Sequence, residues 1–378
     1  MASQLQAALP KRHYVDPAAY AEEHDRVLLR AWSCVGRLDE LGLAEAGIGR
    51  LIPNRGAAVG VLGESILVAV TADGGLRAHY NVCRHRGAQL VVHEPAAAPI
   101  CRPVHVWRCP YHSWTYDLDG RLVHAPHTGG LGVEPAAFAL HPVGAGAWGG
   151  FLWLRLDPSL GETLDDAVAP ARQRLGRYPL ETLRVGYRAR YDVRANWKVI
   201  AENYNECYHC GPVHPELTRL VPAFAGGAAD LDWERGIEHR AGAWTFTITG
   251  KSSRAPFPAL DADERVRHKG ELVYPTLLLS AAAEHVAAFR LEPLAADRTR
   301  INCELLFAPD ELQRPGFDPS DAAELWEIVN AQDWAVCESV QRGMSSRAYV
   351  DGWYAPMEDA SLDIRRWLLP RLEDTANA

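Results

Sequence analysis

Two kinds of hydrophobic pattern follow one another along this chain. Between Pro17 and about Arg30, apolar and polar residues recur at the spacing of an amphipathic helix. Asp16 stands directly before this segment, where aspartate caps helices, and proline is favoured as the first helical residue. The pattern therefore predicts a helix near the N-terminus that ends at about Arg30.

From about residue 46, the apolar residues come instead in short runs, such as 57–62 and 65–70. The dipeptides Asp73-Gly74 and Asp119-Gly120 interrupt this region, and Asp-Gly is a pair that tight hairpin turns favour. We therefore expect a small antiparallel β domain in this part of the chain.

The glycine-rich segment 143–150 is the predicted end of this β domain. Helical and strand patterns alternate beyond it, which predicts an α+β domain with helices packed on one antiparallel sheet. The predicted strands lie at 243–250, at 271–281 and as a pair around 294–300, and the predicted long helices lie near 196–210 and 319–343.

Composition and charge exclude several classes of protein. The chain has 378 residues, of which 48% are hydrophobic, so its length suits two domains with a sizeable core. The net charge of −9 argues against a nucleic-acid partner, which requires a basic face. No uninterrupted apolar run is long enough to span a membrane, and the first residues lack the layout of a signal peptide. We expect a cytoplasmic protein whose thiols stay reduced.

Cysteines and histidines concentrate in one part of the predicted β domain. Cys83 and His85 form C-x-H, and Cys109 and His112 form C-x-x-H. Two cysteines and two histidines can hold a structural zinc ion, or a [2Fe–2S] cluster in which histidines ligate one iron. Gly87 suits a tight loop after the first pair, and aromatic residues after the second pair would shield a metal site from water.

Three further candidate ligands lie between these two pairs. Cys101 also follows the first pair at a plausible separation, but His105 comes one residue too late to form C-x-x-H with it. The segment from Cys109 to His112 has the compact spacing that Cys101 lacks. We therefore assign Cys101, His105 and His93 to a loop insertion, as packed or solvated residues.

The sequences CRHRG (83–87) and CPYHSWTYDLDG (109–120) resemble the Rieske motifs of ring-hydroxylating and N-demethylating oxygenase α subunits. Respiratory Rieske proteins carry two further cysteines, which form a disulfide, at the positions that hold Ala88 and Ser113 here. The resemblance to the oxygenases is therefore preferred over the respiratory one. It implies a [2Fe–2S] cluster with four ligands: Cys83, His85, Cys109 and His112.

A second group of candidate ligands lies in the predicted helix near 196–210. Glu202, Glu206 and His209 fall on one face of it, away from the apolar stripe. Gly211-Pro212 is expected to end the helix, and His214 lies just past that break, where the chain can fold back towards His209. Two histidines near a helix end are by themselves more typical of packing or surface residues than of a metal site.

Asp333 is a third candidate ligand, which favours a metal site at these two histidines. In the predicted helix 319–343, Trp326, Val329 and Val336 form an apolar stripe, and Asp333 falls on the same stripe. A buried carboxylate without a counter-charge is strongly destabilising. The counter-charge is either a buried Arg or Lys, or a divalent metal ion shared with the two histidines.

Two histidines and one carboxylate form the facial triad of non-haem Fe(II) oxygenases, which leaves coordination positions open for O2. The segments 196–214 (NWKVIAENYNECYHCGPVH) and 332–343 (QDWAVCESVQRG) resemble the catalytic half of Rieske oxygenases. This resemblance implies a mononuclear Fe(II) site at His209, His214 and Asp333. It also implies a helix-grip fold, in which an antiparallel sheet packs against long helices.

The resemblance extends over nearly the whole chain and implies three parts. These are a helical arm at 1–45 that packs on the catalytic domain, a Rieske [2Fe–2S] domain at 46–150 and a mononuclear iron catalytic domain at 151–378. No flavin or nicotinamide motif is visible in the sequence. We therefore expect a separate NAD(P)H-dependent reductase, alone or through a ferredoxin, to supply the electrons.

Subunits of the resembled family form head-to-tail homotrimers, in which the cluster of one subunit faces the iron of its neighbour. An acidic residue three positions before the first iron histidine bridges the two sites, and Glu206 holds that position here. The resemblance implies that Glu206 links His209 to a cluster histidine across the interface, and we expect this histidine to be His112. Without the resemblance, a solvated helix carboxylate would be an equally good interpretation of Glu206.

Within the family, ENYNECYHCGPVHPEL (202–217) most resembles α subunits that act on quaternary ammonium compounds such as glycine betaine, carnitine and stachydrine. We therefore expect O2-dependent N-demethylation of a small quaternary ammonium substrate, with hydroxylation of an aromatic ring or a natural-product scaffold as the alternative. Aromatic side chains bind such cations through their ring faces. Five candidates, each more typical of a hydrophobic core, are Tyr204, Tyr208, Trp244, Phe246 and Phe289.

Two other classes of protein share part of this pattern. An electron-transfer Rieske protein without oxygenase activity would not need Asp333 on an apolar stripe or the segment 196–214. A binding module stabilised by zinc would be colourless. The oxygenase interpretation is the one that accounts for both groups of candidate ligands.

Overall fold

The computed structural model describes residues 5–159, 162–227 and 231–373. Its strands in chain order are β1 (Gln6–Ala7), β2 (Ser33–Arg37), β3 (Arg55–Val61), β4 (Glu64–Val70), β5 (Leu76–Tyr80), β6 (Ile100–Pro103), β7 (Trp107–Arg108), β8 (Thr115–Tyr116), β9 (Leu122–His124), β10 (Pro142–Trp148), β11 (Phe151–Arg155), β12 (Arg184–Val193), β13 (Ile237–Glu238), β14 (Arg267–Val273), β15 (Leu277–Ala281), β16 (His285–Ala295), β17 (Arg298–Phe307) and β18 (Trp353–Tyr354). The α-helices are α1 (Arg12–Val15), α2 (Pro17–Arg26), α3 (Leu164–Arg174), α4 (Trp197–Tyr204), α5 (Cys210–Val213), α6 (Pro215–Leu220), α7 (Pro309–Gln313), α8 (Ser320–Met344) and α9 (Leu362–Glu373).

The chain divides into two compact units. One unit, here called the β unit, comprises residues 29–166 and 180–182. The other, here called the α+β unit, comprises 167–179, the residues from 183 onwards and the described part of the first 28 residues. Within the described ranges, no helix combines the length and the apolar content that a membrane crossing requires.

The β unit contains an antiparallel sheet of seven strands in the order β2-β11-β10-β5-β4-β3-β6. Strand β4 shows why both faces of this sheet are buried. Its residues Ile66, Val68 and Val70 point into one hydrophobic core, and Leu67 and Ala69 point into a second core. Since side chains alternate between the two faces of a strand, an almost continuous apolar run produces this double burial.

The second core lies against a small sheet of three strands, β7-β8-β9. Trp107 and Tyr116, which pair across β7 and β8, are almost completely buried there. The same core includes Cys83 and Cys109, so the predicted cluster ligands lie where the two sheets of the β unit meet. The small antiparallel β domain predicted from the sequence is confirmed.

The glycine-rich segment 143–150 is part of a hairpin inside the β unit. Strand β10 pairs with β11 along its length, and Gly149 and Gly150 form the turn with positive φ angles of 62° and 76°. Glycine adopts this left-handed backbone without strain, so the glycines here serve the turn. The chain enters the α+β unit farther on, at residue 167.

The α+β unit is built on an antiparallel sheet of six strands in the order β12-β17-β16-β15-β14-β13. Strands β15 and β17 are almost entirely buried, whereas the edge strand β12 is partly exposed and rich in charged residues. Charged side chains on an edge strand oppose pairing with another chain. The long helix α8 packs against β12 and α4, which gives the α+β arrangement expected from the sequence.

Two strand predictions in this unit were wrong in detail. The alternating segment 243–250 forms an irregular loop, because Thr245 donates a hydrogen bond to Glu284 and Thr247 donates one to the backbone oxygen of Lys251. These side-chain bonds replace a strand ladder. The segment 271–281 is a hairpin of β14 and β15, whereas a single strand was expected.

The predicted N-terminal helix is confirmed at its start. The Asp16 side chain accepts a hydrogen bond from the Ala18 amide at 2.8 Å, and Pro17 is the first helical residue. Helix α2 ends at Arg26, four residues early, because residues 28–30 form a tighter 3-10 turn. Pro319, expected as the first residue of α8, instead occupies its N-cap position.

Candidate metal centres

The first predicted ligand pair lies in a tight loop of the β unit. The Cys83 amide donates a hydrogen bond to the Ala88 oxygen at 2.8 Å, and the Gly87 amide donates one to the Cys83 oxygen at 2.9 Å. Gly87 has a φ of 78°, a left-handed conformation that favours glycine. The tight loop predicted from this glycine is therefore present.

The second predicted pair lies in a loop with the same hydrogen bonds. The Cys109 amide donates to the Trp114 oxygen at 2.8 Å, and the Ser113 amide donates to the Cys109 oxygen at 3.0 Å. Ser113 takes the place of Gly87, with a φ of 61°. This conformation could not be predicted from the residue type, because serine rarely adopts a left-handed conformation. The two loops therefore share the same backbone hydrogen bonds around their cysteines.

The two loops bring the four predicted cluster ligands together. Cys83 and Cys109 are each only 2% exposed, whereas His85 and His112 lie at the surface with ring centroids 4.7 Å apart. The Trp114 ring stacks on His85 at 4.9 Å. Two buried thiols and two exposed imidazoles fit a [2Fe–2S] cluster in which histidines would ligate one iron.

The hydroxyl group of Tyr116 lies 3.4 Å from the sulfur of Cys83. The Arg84 amide donates a hydrogen bond to the oxygen of Tyr116 at 3.1 Å, which leaves the hydroxyl proton for the sulfur. Burial raises the pKa of the Cys83 thiol, and the Tyr116 hydrogen bond partly opposes this effect. Tyr116 contacts the sulfur of a predicted ligand, whereas the sequence indicated only a shielding role for it.

The three rival candidates lie away from the four ligands. Cys101 is on the edge strand β6, outside any loop, and its thiol donates to the Gly42 oxygen at 3.4 Å. His93 is buried and its Nδ1 lies 3.3 Å from the Ser65 hydroxyl, while His105 is exposed. These contacts agree with their interpretation as packed or solvated residues.

Helix α4 of the α+β unit leads into the second predicted site. Asn196 caps it, with its side chain accepting from the Lys198 amide at 3.0 Å. The helix ends at Tyr204, although the pattern predicted a helix to about residue 210. Glu202 therefore does not share a helical face with His209: its carboxylate accepts a hydrogen bond from the Tyr354 hydroxyl at 2.6 Å.

The chain after α4 turns sharply twice and presents both histidines. Residues 205–209 form the first turn, and the four-residue helix α5 includes Gly211-Pro212, which was expected to break the helix. His214 follows with non-helical backbone angles and precedes Pro215, the first residue of α6. The fold-back of His214 towards His209 that the sequence predicted is present, with ring centroids 5.1 Å apart.

His209, His214 and Asp333 converge on one point. Oδ1 of Asp333 lies 3.3 Å from Nε2 of His209 and 3.0 Å from Nε2 of His214. Asp333 stands on α8, so the structure joins two neighbouring histidines with a carboxylate that lies 119 positions beyond His214 in the sequence. Two imidazole nitrogens and a carboxylate are the ligand set that non-haem iron uses.

The hydrogen-bond partners of the two Nδ1 atoms determine which ring nitrogen of each histidine faces Asp333. Glu206 Oε1 lies 2.5 Å from Nδ1 of His209, and Gln332 Oε1 lies 2.7 Å from Nδ1 of His214. Each Nδ1 therefore donates a proton to an oxygen, and each Nε2 keeps its lone pair for a cation. The residues present thus fit a divalent metal ion.

The electrostatics around Asp333 also agree with a divalent metal ion at this site. Burial would raise the pKa of Asp333, but the two neighbouring imidazoles outweigh burial and hold its pKa below the usual value. Burial would lower the pKa of His209, but Asp333 and Glu206 raise it to about 9.

Cys207 and Cys210 form a disulfide within the loop that carries His209. The expectation that all thiols are reduced was therefore wrong for this pair. The Cys210 sulfur lies near both histidines and is a possible metal ligand by distance alone. We assign the third position to Asp333, because a sulfur engaged in a disulfide cannot act as a thiolate ligand.

A cavity with a mainly apolar and aromatic lining opens onto these three residues. Of the five aromatic residues proposed from the sequence, Tyr204, Phe246 and Phe289 line it, whereas Tyr208 is half exposed and Trp244 is not among the described lining residues. Sequence reasoning missed four further aromatic lining residues: Phe224, Trp233, Trp326 and Trp334.

Comparison with known protein families gives two matches. Residues 180–374 match the model of the ring hydroxylating alpha subunit (catalytic domain). Residues 47–135 match the Rieske [2Fe-2S] domain. The matched segments contain both groups of predicted ligands.

Similar proteins have been characterised in several bacteria. The glycine betaine monooxygenase oxygenase subunit of Chromohalobacter salexigens is 29% identical over 98% of this chain and 87% of its own length. The carnitine monooxygenase oxygenase subunit of Escherichia coli K12 is 30% identical over 90% of this chain and 85% of its own. Among solved structures, the quaternary ammonium Rieske monooxygenase CntA in complex with γ-butyrobetaine has a TM-score of 0.69 and 23% identity, with 98% of this chain and 97% of CntA covered.

Proposed function

Because this chain belongs to the family of ring-hydroxylating Rieske oxygenase α subunits, we propose that it removes an N-methyl group from a small quaternary ammonium compound by hydroxylation. The protein is an oxidoreductase with a Rieske domain and a catalytic domain. The observation that supports the proposal best is the aromatic cavity that opens directly onto His209, His214 and Asp333.

Seven residues hold the metals in this proposal. When bound, a [2Fe–2S] cluster would supply single electrons and a ferrous ion would supply O2 activation. The protein contributes the fixed geometry: buried thiols and exposed imidazoles at one site, and two Nε2 lone pairs beside a carboxylate at the other. The cluster ligands are Cys83, His85, Cys109 and His112, and the iron ligands are His209, His214 and Asp333.

The cavity lining supports a cationic substrate. Aromatic rings such as Phe246, Trp326 and Phe289 lie in a continuous series, with centroids 4.6 Å and 5.3 Å apart. No Lys or Arg occurs among the described residues of the lining, while Asp333 and Glu206 bring negative charge. Ring faces and carboxylates attract a trimethylammonium group, which a nearby Lys or Arg would repel.

The proposed reaction hydroxylates one N-methyl group. One oxygen atom of O2 enters a methyl C–H bond, and the other is reduced to water by two electrons and two protons. The resulting carbinol breaks its C–N bond, so that formaldehyde and a proton leave and the nitrogen keeps the electron pair. The lining residues hold the methyl group at the iron ligands and exclude bulk water.

Electron delivery in this proposal crosses a subunit interface. Glu206 already accepts a hydrogen bond from the iron ligand His209. In a head-to-tail homotrimer, Glu206 would face His112 of the neighbouring copy and complete the connection between the two metals. A separate NAD(P)H-dependent reductase, alone or through a ferredoxin, reduces the cluster. The cytoplasmic location and the assignment of a helical arm, a Rieske domain and a catalytic domain are parts of the same proposal.

Product analysis tests the proposed function. The iron-loaded protein is combined with a surrogate reductase and NADH, and formaldehyde and product mass are measured for glycine betaine, γ-butyrobetaine, choline and aromatic acids. We expect formaldehyde in equal amounts to a demethylated amine from at least one trimethylammonium compound. A hydroxylated aromatic product without formaldehyde would replace N-demethylation with the alternative activity.

A second experiment tests the cluster ligands. The substitution C109S should abolish the red-brown colour of the protein and the electron paramagnetic resonance signal of its reduced cluster, because it removes a ligand. The substitution C101S is the matched control and should leave both intact. Loss of colour in C101S but not in C109S would refute the assignment.

A further inference from the structure

Two buried histidines form a hydrogen-bonded pair at the wall of the cavity. His268 on β14 lines the cavity, and His239 follows β13. Because Ile237 pairs with His268, the side chain of His239 lies diagonally across on the same face of the sheet. Nε2 of His239 is 3.2 Å from Nδ1 of His268, and the two ring planes lie within 11° of each other. One proton is therefore shared between these nitrogens.

Both rings are neutral at physiological pH. Burial lowers the pKa of His239 to about 4 and lowers the pKa of His268 well below its usual value. The two side chains are only 5% and 6% exposed. A neutral imidazole carries one proton, so the position of the shared proton fixes the second proton of the pair as well.

Two arrangements of the protons are possible, and they differ at Nδ1 of His239. If His268 donates to His239, then His239 must carry a proton on Nδ1, and this buried N–H has no acceptor among the described residues. If His239 donates from Nε2, its Nδ1 keeps only an unpaired lone pair. A buried donor without an acceptor is rarer than a buried acceptor without a donor. The second arrangement is therefore favoured.

In the favoured arrangement, His268 carries its proton on Nε2. Its Nδ1 is used by His239, so Nε2–H is the polar group that it offers to the cavity. The rings of Phe246 and Phe224 pack against His268 at centroid distances of 5.0 Å and 5.6 Å and hold it in place. The cavity thus has a neutral donor at a fixed position.

The other neutral polar groups of the lining differ in polarity: the indole N–H groups of Trp233 and Trp334 can only donate, as Nε2–H of His268 does. The Ser280 hydroxyl can rotate, so it can either donate or accept. The amide nitrogen of Asn330 is already bonded to the Tyr191 hydroxyl at 3.2 Å. No Lys or Arg among the described lining residues competes for an acceptor on a ligand.

We propose that His268 is a specificity-determining residue whose Nε2–H donates a hydrogen bond to an acceptor oxygen of the substrate. His239 is a positioning residue that sets this proton arrangement. The substrate class is then an onium compound with a carboxylate, carbonyl or hydroxyl oxygen at a distance from its methyl groups. This inference rests on the proposed function only in treating the cavity as the substrate site.

Matched pairs of probes test the proposal by equilibrium binding to the full chain. The first pair is γ-butyrobetaine and butyltrimethylammonium, which differ by a carboxylate and a methyl group. The second pair is acetophenone and α-methylstyrene, which differ by a carbonyl oxygen and a methylene group. We expect the oxygen-bearing member to bind about tenfold more tightly, a ratio that one hydrogen bond supplies.

Variants test whether the two histidines cause the preference for the oxygen-bearing probe. H268L should reduce the ratio of the two affinities within each probe pair to about one. H268Q should restore part of this ratio because glutamine keeps an N–H donor. H239L should weaken the ratio, and H239Q, which can still donate to Nδ1 of His268, should keep it. H13L is the control: His13 is equally buried, with a pKa lowered by burial to about 4, and lies outside the described cavity lining. Each ratio is taken within one variant, so a partly misfolded preparation does not distort it.

The outcomes separate the two proposals. An unchanged ratio in H268L, or no binding of any probe, overturns the role of His268. If only the aromatic pair binds and its ratio depends on His268, then the role of His268 stands and quaternary ammonium demethylation fails. If both trimethylammonium probes bind equally in wild type and in H268L, and one is demethylated, the proposed function stands and the role of His268 fails.

Discussion

The side-chain oxygen of Gln332 accepts a hydrogen bond from Nδ1 of His214 at 2.7 Å. The amide nitrogen of Gln332 donates to a carboxylate oxygen of Glu216 at 3.1 Å. A carboxylate can only accept, so Glu216 fixes the orientation of the amide, and the amide in turn fixes the proton of His214 on Nδ1. The lone pair of Nε2 is therefore directed at Asp333, where a metal ion would bind.

Replacing Gln332 should weaken iron binding. Q332L removes the acceptor for Nδ1, so the His214 ring loses both its fixed proton and its orientation. Partners of this kind typically contribute about 10- to 100-fold to metal affinity. We expect a decrease of that size in Fe(II) affinity, measured by titration of the metal-free protein under anaerobic conditions.

The control for this prediction is Q313L, since Gln313 is exposed on α7. It should bind Fe(II) as the wild type does. Equal affinities in Q332L and wild type would mean that packing alone orients His214.

The same contacts show where sequence reasoning succeeds and where it stops. Cys83 and His85 lie in one short loop, so their spacing carries the information, and the same holds for Cys109 and His112. Gln332 contacts a histidine 118 positions away, and no local pattern reports such a contact. Asp333 could be predicted from the sequence because a carboxylate on an apolar stripe requires a counter-charge.

Local sequence patterns also failed to predict structure where buried side chains make hydrogen bonds of their own. The alternation in 243–250 predicts a strand, but the buried hydroxyls of Thr245 and Thr247 make hydrogen bonds that favour a loop. Ser113 adopts the left-handed conformation of Gly87, and the correspondence of their two loops is visible only in the three-dimensional structure. The cavity aromatics come from separate segments, so their shared position depends on the tertiary fold.

The hydrogen bond from Tyr116 to Cys83 predicts a shift in the cluster potential. A donor to a ligand sulfur stabilises the reduced, more negative state of an iron–sulfur cluster. Y116F should therefore lower the midpoint potential by a few tens of mV, or about 40 mV for each kcal/mol of the lost bond in a one-electron couple. Spectroelectrochemical titration measures this shift directly.

Y111F is the matched control for Y116F. The Tyr111 hydroxyl lies 3.3 Å from a guanidinium nitrogen of Arg86, a contact that involves no sulfur. Its removal should leave the potential close to that of the wild type. If Y111F and Y116F change the potential equally, the hydroxyl–sulfur bond is not the cause.

Glu206 is predicted to couple the two metal sites. E206Q keeps an acceptor for Nδ1 of His209 but removes the negative charge and the second acceptor of the carboxylate. Both metals should bind in the normal amounts, and dithionite should reduce the cluster at the normal rate. Product formation in a single turnover should fall at least 100-fold, measured by rapid quench after reduction, because the electron no longer reaches the iron efficiently.

E324Q serves as the control, because Glu324 is an exposed carboxylate on α8. It should turn over normally. Normal product formation in E206Q would remove Glu206 from the electron path and leave it as a group that only orients His209.

Glu202 predicts a pH dependence of stability. Burial raises its pKa to about 7, and hydrogen bonds from the Tyr14 and Tyr354 hydroxyls oppose this only partly. The usual value is 4.5, so between pH 4.5 and pH 7 the native state binds more protons than the unfolded state. The free energy of unfolding therefore falls as pH rises through this range, by at most about 3 kcal/mol.

The substitution E202Q removes the ionisable group but keeps an oxygen that both tyrosines can donate to. Relative to wild type, the variant should gain about 2 kcal/mol more stability at pH 8 than at pH 5, because only the wild type buries a charge at the higher pH. Denaturant unfolding of both proteins at the two pH values measures this difference. A stability difference that is the same at pH 5 and pH 8 would mean that Glu202 ionises in the native protein as it does in the unfolded chain.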